Sequence, residues 1–330
     1  MKPRYIFLIF SIVVCLASIA LVMIKGNPEN RVSLDSVAEI GEGFLSSMNK
    51  VGTAFTPISD EEEMEVGNKI HERLLKSRIT NQPNYAVLEK YINDVGNKVA
   101  ENVKRTGIKY KFHIIESFYP SACSIAGGHV YVTTSLMKTL KSEAELAGVL
   151  AHEITHVDAK HCILSIRHKI QNEKITGSEY GALVDVGYDV FFKPGFSETQ
   201  EIEADAGGVY LLYQAGYHPM AIIHAFERIN KDELSRSNQD NSVTVVDDTL
   251  NAVGGMILRY FKTHPPTEDR INKIKNYISD NKLMSPNQRF YIGQENFKER
   301  ISSKVKRYKE EFNKDYVITD EKKSESESGG

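Results

Sequence analysis

Apolar residues recur along this chain at two periods, and each period marks a different kind of element. Helical spacing becomes clear after Ser59-Asp60-Glu61-Glu62, where Met64, Ile70, Leu74 and Leu75 follow acidic residues suited to the positive end of a helix. Val87, Leu88, Tyr91, Ile92, Val95 and Val99 predict a second helix over 85–103. The period then shortens to two: Tyr110, Phe112 and Ile114 alternate with Lys111 and His113, as in a half-buried strand. A turn-rich loop, 120–128, leads to a second strand, Gly128-His129-Val130-Tyr131-Val132-Thr133. Leu146, Val149, Leu150, Ile154 and Val157 return to helical spacing behind Ser142 and Glu145, which read as a capping box. Further helices are expected at 162–175, 197–216, 219–230 and 268–278, with a less regular stretch at 177–195 and a polar loop at 235–244. The sum is an α+β fold, mainly helical, with a small β-sheet.

One apolar feature changes this picture. Tyr5–Ile24 carries no charge over about 20 residues behind the basic Lys2 and Arg4, long enough to cross a bilayer with the folded part on the extracytoplasmic side. A cleaved signal peptide ending near Ser18-Ile19-Ala20 is the equal alternative, and a lipobox at Cys15 is disfavoured by Val14. All three readings place the folded domain in the cell envelope, membrane-anchored or exported. The predicted layout is an anchor or signal at 1–24, a tether at 25–56, a main domain at 57–280, an extension at 281–318 and a tail at 319–330 too polar to bury a core.

Composition narrows the partners. With 330 residues, a formal charge of -3 and 26% charged residues of both signs, the chain has no basic block that would suit nucleic acid. Three cysteines are too few for a disulfide framework, and no C-x-x-C pair offers thiolates to a metal. Cys123 and Cys162 could meet in the folded domain, but their spacing gives little reason to pair them.

The chemistry is concentrated in His152-Glu153-Ile154-Thr155-His156. Two histidines four apart stand on one helix face about 6 Å from each other, so both imidazoles can hold one Zn2+. Glu153, one position round the helix, is left free to move protons beside the metal. A catalytic zinc needs a third protein ligand, and Glu201 supplies a carboxylate downstream. Asp205 lies one turn beyond it, placed to hold the back of a ligating histidine, while Glu203 points elsewhere on the wheel. His161 falls off the metal face; His71, His113, His168, His218 and His224 form no pattern, and His129 could face either way. Gly127 and Gly128 before a β-branched run suggest close approach to their backbone, a substrate peptide being one candidate.

His-Glu-Ile-Thr-His, the Glu-x-Glu-Ala-Asp run at 201–205 and Thr263-His264-Pro265-Pro266 ending in Arg270-Ile271 together resemble the gluzincin metallopeptidases that include HtpX, Oma1 and the CAAX prenyl endopeptidases. Ala126-Gly127-Gly128-His129-Val130-Tyr131-Val132-Thr133 is similar to that family's Pro-Gly-Gly segment, with Ala126 for the proline and Ser121-Ala122-Cys123 where Asn-Ala-Phe is common. The likeness covers about 57–280 and, with one apolar run only, looks like the exported branch typified by BepA; residues 281–330 are too short and polar for tetratricopeptide repeats. It implies a zincin-like endopeptidase that clears misfolded or unassembled envelope proteins. The strand carrying Val130, Tyr131 and Val132 would be the edge of the active-site cleft and would bind substrate. It also implies cleft roles for His264 and Arg270, with His264 either on the zinc's open position or on the oxyanion. A chaperone-like zinc protein that binds unfolded chains without cutting them is the rival reading.

Overall fold

A computed structural model describes residues 58–76, 85–172, 179–192, 195–239, 264, 268–285 and 287–313. The expected anchor or signal, the tether and the tail lie outside these residues, and among the described residues no helix is long and apolar enough to cross a membrane. Contacts divide the chain into two units, Met1–Thr56 and Pro57–Gly330, and every described residue belongs to the second.

Helices α1 (Asp60–Lys76) and α2 (Ala86–Ala100) form where the apolar spacing predicts them. Ser59 caps α1: its hydroxyl accepts from Glu62 N at 3.2 Å while the Glu62 carboxylate accepts from Ser59 N at 2.8 Å. Three strands follow, β1 (Lys111–Ile115), β2 (Ala122–Ser124) and β3 (His129–Thr133), then the short α3 (Thr134–Thr139) and the long α4 (Glu143–Asp158). Helices α5 (His161–Asn172), α6 (Glu179–Phe192), α7 (Glu198–Gln214), α8 (Ala221–Gln239) and α9 (Glu268–Asp280) complete the helical body. The stretch expected to be irregular at 177–195 is thus mostly helix, with Leu183 and Val186 buried three residues apart on one face. Helix α8 likewise runs into the expected loop as far as Gln239, since Lys231-Asp232-Glu233-Leu234 favours helix without needing burial.

The sheet overturns one expectation. Its order is β1-β3-β2, with β3 parallel to β1 and antiparallel to β2, so the strand at 129–133 is central and every one of its residues is buried. Val130, Tyr131 and Val132 therefore pair with the protein's own strands on both sides and cannot pair with a substrate. The free edge on the β2 side is Ala122–Ser124, inside the predicted loop. Gly127 and Gly128 do meet a close neighbour, but it is the chain itself. A Cβ on Gly127 (φ +80) would stand 2.6 Å from Glu63 O, and one on Gly128 (φ +93) 2.8 Å from Lys109 O.

The residues after 280 are no appendage. Strand β4 (Phe290–Tyr291) pairs with β5 (Phe312–Asn313), and α10 (Gln294–Glu299) packs nearby. Gly293 O and Ile292 O accept from Glu143 N and Ala144 N, at 3.0 and 2.9 Å, and so take up free donors at the start of α4. The buried Glu143 carboxylate in turn accepts from Tyr217 Oη at 2.6 Å, Tyr91 Oη at 3.2 Å and Ser303 N at 3.0 Å. An acidic group satisfied in this way at a helix N-terminus steadies the helix electrostatically, and that helix carries the site chemistry.

Candidate active site

Helix α4 is buried from Glu143 to Val157, and His152, Glu153 and His156 have no exposed surface. Ser142 Oγ accepts from Glu145 N at 3.1 Å, the first half of the expected capping box. The second half is diverted, because Glu145 binds Lys141 N at 2.7 Å and Arg228 Nε at 2.9 Å instead.

Helix α7 delivers the third donor, a carboxylate. Ser197 and Gln200 form a full capping box at its start, which sets Glu201 in the first turn. Farther along, α7 crosses α4 so closely that a Cβ on Gly207 would lie 2.4 Å from Thr155 Cγ2. Only a residue without a side chain fits there, and the close crossing brings Glu201 over the two histidines. His152 Nε2 and His156 Nε2 stand 3.1 Å apart, with Glu201 oxygens at 3.5 and 3.6 Å from them. His264 Nδ1 reaches into the same space, 3.2 Å from His152 Nε2 and 2.9 Å from Glu201 Oε1.

Behind these atoms lies a frame that orients them. Asp205 Oδ1 stands 3.1 Å from His152 Nδ1, which turns Nε2 inward. Arg270, buried to 2% exposure, holds both carboxylates. Its Nε and Nη2 donate to Asp205 at 2.8 Å each, and Nη1 lies 3.0 Å from Glu201 Oε2. The geometry gives Arg270 a positioning role behind the site rather than a place in the cleft.

His156 is held by residues that spacing alone dismissed. Glu203 Oε2 lies 3.3 Å from His161 Nε2, and His161 Nδ1 lies 3.0 Å from His156 Nδ1. A carboxylate only accepts, so His161 carries its proton on Nε2 and accepts from His156 Nδ1–H. His156 Nε2 is left bare and aimed at the cluster. Phe196 stacks on the His156 ring with centroids 3.8 Å apart and closes that side to water. The His161→Phe variant is expected to lose about 10- to 100-fold in zinc affinity with little change in fold, measured by competition with a chromophoric chelator.

Glu153 has one oxygen engaged and one free. Ser124 Oγ donates to Oε2 at 3.0 Å; Oε1 has no hydrogen-bond partner among the described residues, with His264 Nε2 3.5 Å away. Ser124 belongs to β2, so the open sheet edge and the buried carboxylate share a residue. Cys123 and Cys162 are both free thiols.

His152, His156, Glu201 and His264 offer nitrogen and oxygen donors that all lie within 4.8 Å of one another, fully buried. Burial opposes charge on Glu201, but the imidazoles of His264 and His152 outweigh it and hold the carboxyl well below the usual range. Burial and its charged neighbours likewise keep His156 neutral. An anionic carboxylate beside convergent imidazole nitrogens is a donor set that fits a divalent metal.

Burial disfavours the His152 imidazolium, yet Asp205 and Glu201 overcome it and raise its pKa to about 9. Raised above the ordinary 6.5, this group stabilises the ion-free fold fully below that pH, and the contribution fades as pH passes about 9. A metal must therefore displace a proton from His152 at neutral pH. Apparent zinc affinity is expected to rise about tenfold per pH unit from pH 7 and to level off near pH 9, as read by chelator competition.

A model of peptidase family M48 matches residues 86–278, more than half of the chain and the whole of this site. The chain belongs to peptidase family M48. This M48 chain is 25% identical over 215 residues to the beta-barrel assembly-enhancing protease of Escherichia coli O157:H7, covering 59% of this chain and 44% of that one. It is 26% identical over 210 residues to the mitochondrial metalloendopeptidase OMA1 of Schizosaccharomyces pombe, covering 60% and 55%. The corresponding OMA1 of Arabidopsis thaliana is 30% identical over 129 residues. The M48 chain thus spans about half the length of the relatives it matches.

Proposed function

We propose that this chain is a zinc-dependent endopeptidase that hydrolyses peptide bonds of misfolded or unassembled proteins of the cell envelope. The observation that carries the reading is Glu153 Oε1, a buried carboxylate oxygen without a hydrogen-bond partner beside a convergent metal donor set. A purely structural metal site has no use for such a group.

His152, His156 and Glu201 would hold the ion, and bound zinc supplies Lewis-acid chemistry that polarises a carbonyl and acidifies water. Glu153 accepts the proton of the attacking water on Oε1 and returns it to the leaving amine nitrogen. Ser124 fixes the other carboxylate oxygen, so the proton is taken and given at one defined atom. Asp205 and the Glu203–His161 pair hold the two imidazoles in the tautomers a metal requires.

Substrate is assigned to the free edge of β2. Thr133 N donates to Ser121 O and Ile125 N to His129 O, both at 3.0 Å, so in the antiparallel ladder the main-chain groups of Ala122 and Ser124 face away from β3, where an incoming peptide would take the place of the Cys162 thiol that donates to Ser124 O at 3.7 Å. An extended peptide that adds there is held by its backbone and runs past Glu153, which suits unfolded chains of many sequences. The names of the relatives, a beta-barrel assembly-enhancing protease and a mitochondrial metalloendopeptidase, support metal-dependent proteolysis.

His264 Nδ1 lies with the three ligands and fills a fourth donor position, which favours a latent resting state over an oxyanion-binding role. A charge-assisted contact of this kind contributes about 1.5–3 kcal/mol. The His264→Ala variant is therefore expected to cleave casein roughly 10- to 100-fold faster than wild type, with chelation abolishing cleavage by both and zinc restoring it. Slower cleavage by the variant would assign His264 to the oxyanion, and no zinc-dependent cleavage by either would favour a chaperone-like binding protein.

A further inference from the structure

Three histidines with no pattern in the sequence meet on the sheet face beneath α1. His71 comes from α1, His113 from β1 and His129 from the neighbouring β3, and their ligand atoms lie within 4.8 Å of one another. The parallel register places His113 opposite Tyr131 and His129 opposite Lys111, so the two strand histidines sit diagonally. His113 Nε2 stands 2.9 Å from His129 Nδ1 with their rings 13° from coplanar, and His71 stacks over both at 4.2 and 4.5 Å.

The proton positions follow from the neighbours. Asn68 Oδ1 accepts from Lys111 Nζ at 3.3 Å, which identifies it as oxygen, and it lies 3.0 Å from His129 Nε2. His129 therefore carries its proton on Nε2 and turns a bare Nδ1 towards His113. Tyr131 Oη fixes His71 Nδ1 at 2.8 Å. A ring nitrogen held from behind by a polar group is the arrangement that orients metal-binding imidazoles. Burial and mutual repulsion push His113 down to about 3 and His129 to about 2, so both stay neutral near pH 7.

We propose that His71, His113 and His129 form a second metal site, which takes one divalent ion of the zinc or copper class through three imidazole nitrogens. Two nitrogens on one tetrahedral ion stand roughly 3.3 Å apart. The 3.1 Å between His152 and His156 falls about 0.2 Å short of that value and the 2.9 Å between His113 and His129 about 0.4 Å short. With Nδ1 held by Tyr131, the partly buried His71 offers Nε2 as the third nitrogen. A cavity of about 340 Å³ adjoins the cluster at Asn68 and Lys111, its wall carrying Glu61 and Glu65 together with Lys109 and Lys111. An ion there clips α1 to β1 and β3. Since β3 carries β2, it secures the strand that bears Ser124.

The test counts metal in the full chain, stripped with chelator and dialysed against Zn2+. Two ions per chain are expected for wild type and one for His71→Ala, whose melting curve checks that it is folded. In a chain carrying His152→Ala and Glu201→Ala, Cu2+ should bind one equivalent with imidazole-nitrogen coupling in its electron paramagnetic resonance spectrum. Affinity for that ion should fall at least 100-fold when His71→Ala is added. One ion per chain in both wild type and His71→Ala would overturn the proposal. So would two ions in both, which would mean an adventitious ion only. Should His71→Ala fail to fold, wild type whose first site is loaded with zinc decides, by the presence or absence of nitrogen coupling on added Cu2+.

Discussion

Replacing Glu153 with glutamine is expected to lower casein cleavage by about 10²- to 10⁴-fold, the range of a lost general base. The amide keeps the shape of the side chain and can keep its contact with Ser124 Oγ, 3.0 Å away in the parent. It cannot take a proton from water near pH 7. Zinc content should stay that of wild type, because Glu153 is not among the convergent donors. The expected signature is thus loss of rate without loss of metal. The His264→Ala background gives the clearest reading, since any rate withheld by latency is restored there. Unchanged cleavage by Glu153→Gln would remove the proposed proton carrier from the mechanism.

Replacing Arg270 with methionine should cost about 3–5 kcal/mol of stability, the typical penalty for stripping one partner from a buried ion pair. The guanidinium makes a two-pronged contact with Asp205 and touches Glu201, all three residues being nearly inaccessible. Without it two carboxylates face each other across a dry site, one of them a metal donor. Urea unfolding of the stripped chain should read the loss in stability, and chelator competition should read weaker zinc binding. Zinc itself offsets part of the penalty by supplying positive charge. A variant of undiminished stability and zinc affinity that cleaves slowly would return Arg270 to the substrate cleft.

Most helices were legible because their apolar faces repeat at the helical period. His152, Glu153 and His156 were legible because one helix fixes their relation, and Glu201 and Asp205 because they share a turn of another. The sheet was harder. Strand β2 is three residues long, and Ala122-Cys123-Ser124 has neither the length nor the β-branched character that marks a strand. Its absence from the reading made β3 look like an edge, although Val130-Tyr131-Val132-Thr133 lacks the polar alternation that an exposed edge strand shows. Residues joined across elements left no local trace. His161 meets His156 because the turn at Lys160, with φ 64°, starts α5 back towards α4. Glu203 reaches His161 because α7 crosses α4, which no spacing within one helix reports. His71, His113 and His129 likewise depend on the register of β1 against β3 and on the seating of α1 above them.

Cleavage of casein by the chelator-stripped His264→Ala chain, followed as zinc is returned, tests the central claim most directly. The rate should start near zero, climb with added zinc and saturate, and it should stay near zero at every zinc level when Glu201→Ala is added. Undiminished cleavage by the stripped chain, or equal zinc-dependent cleavage without Glu201, would contradict the account.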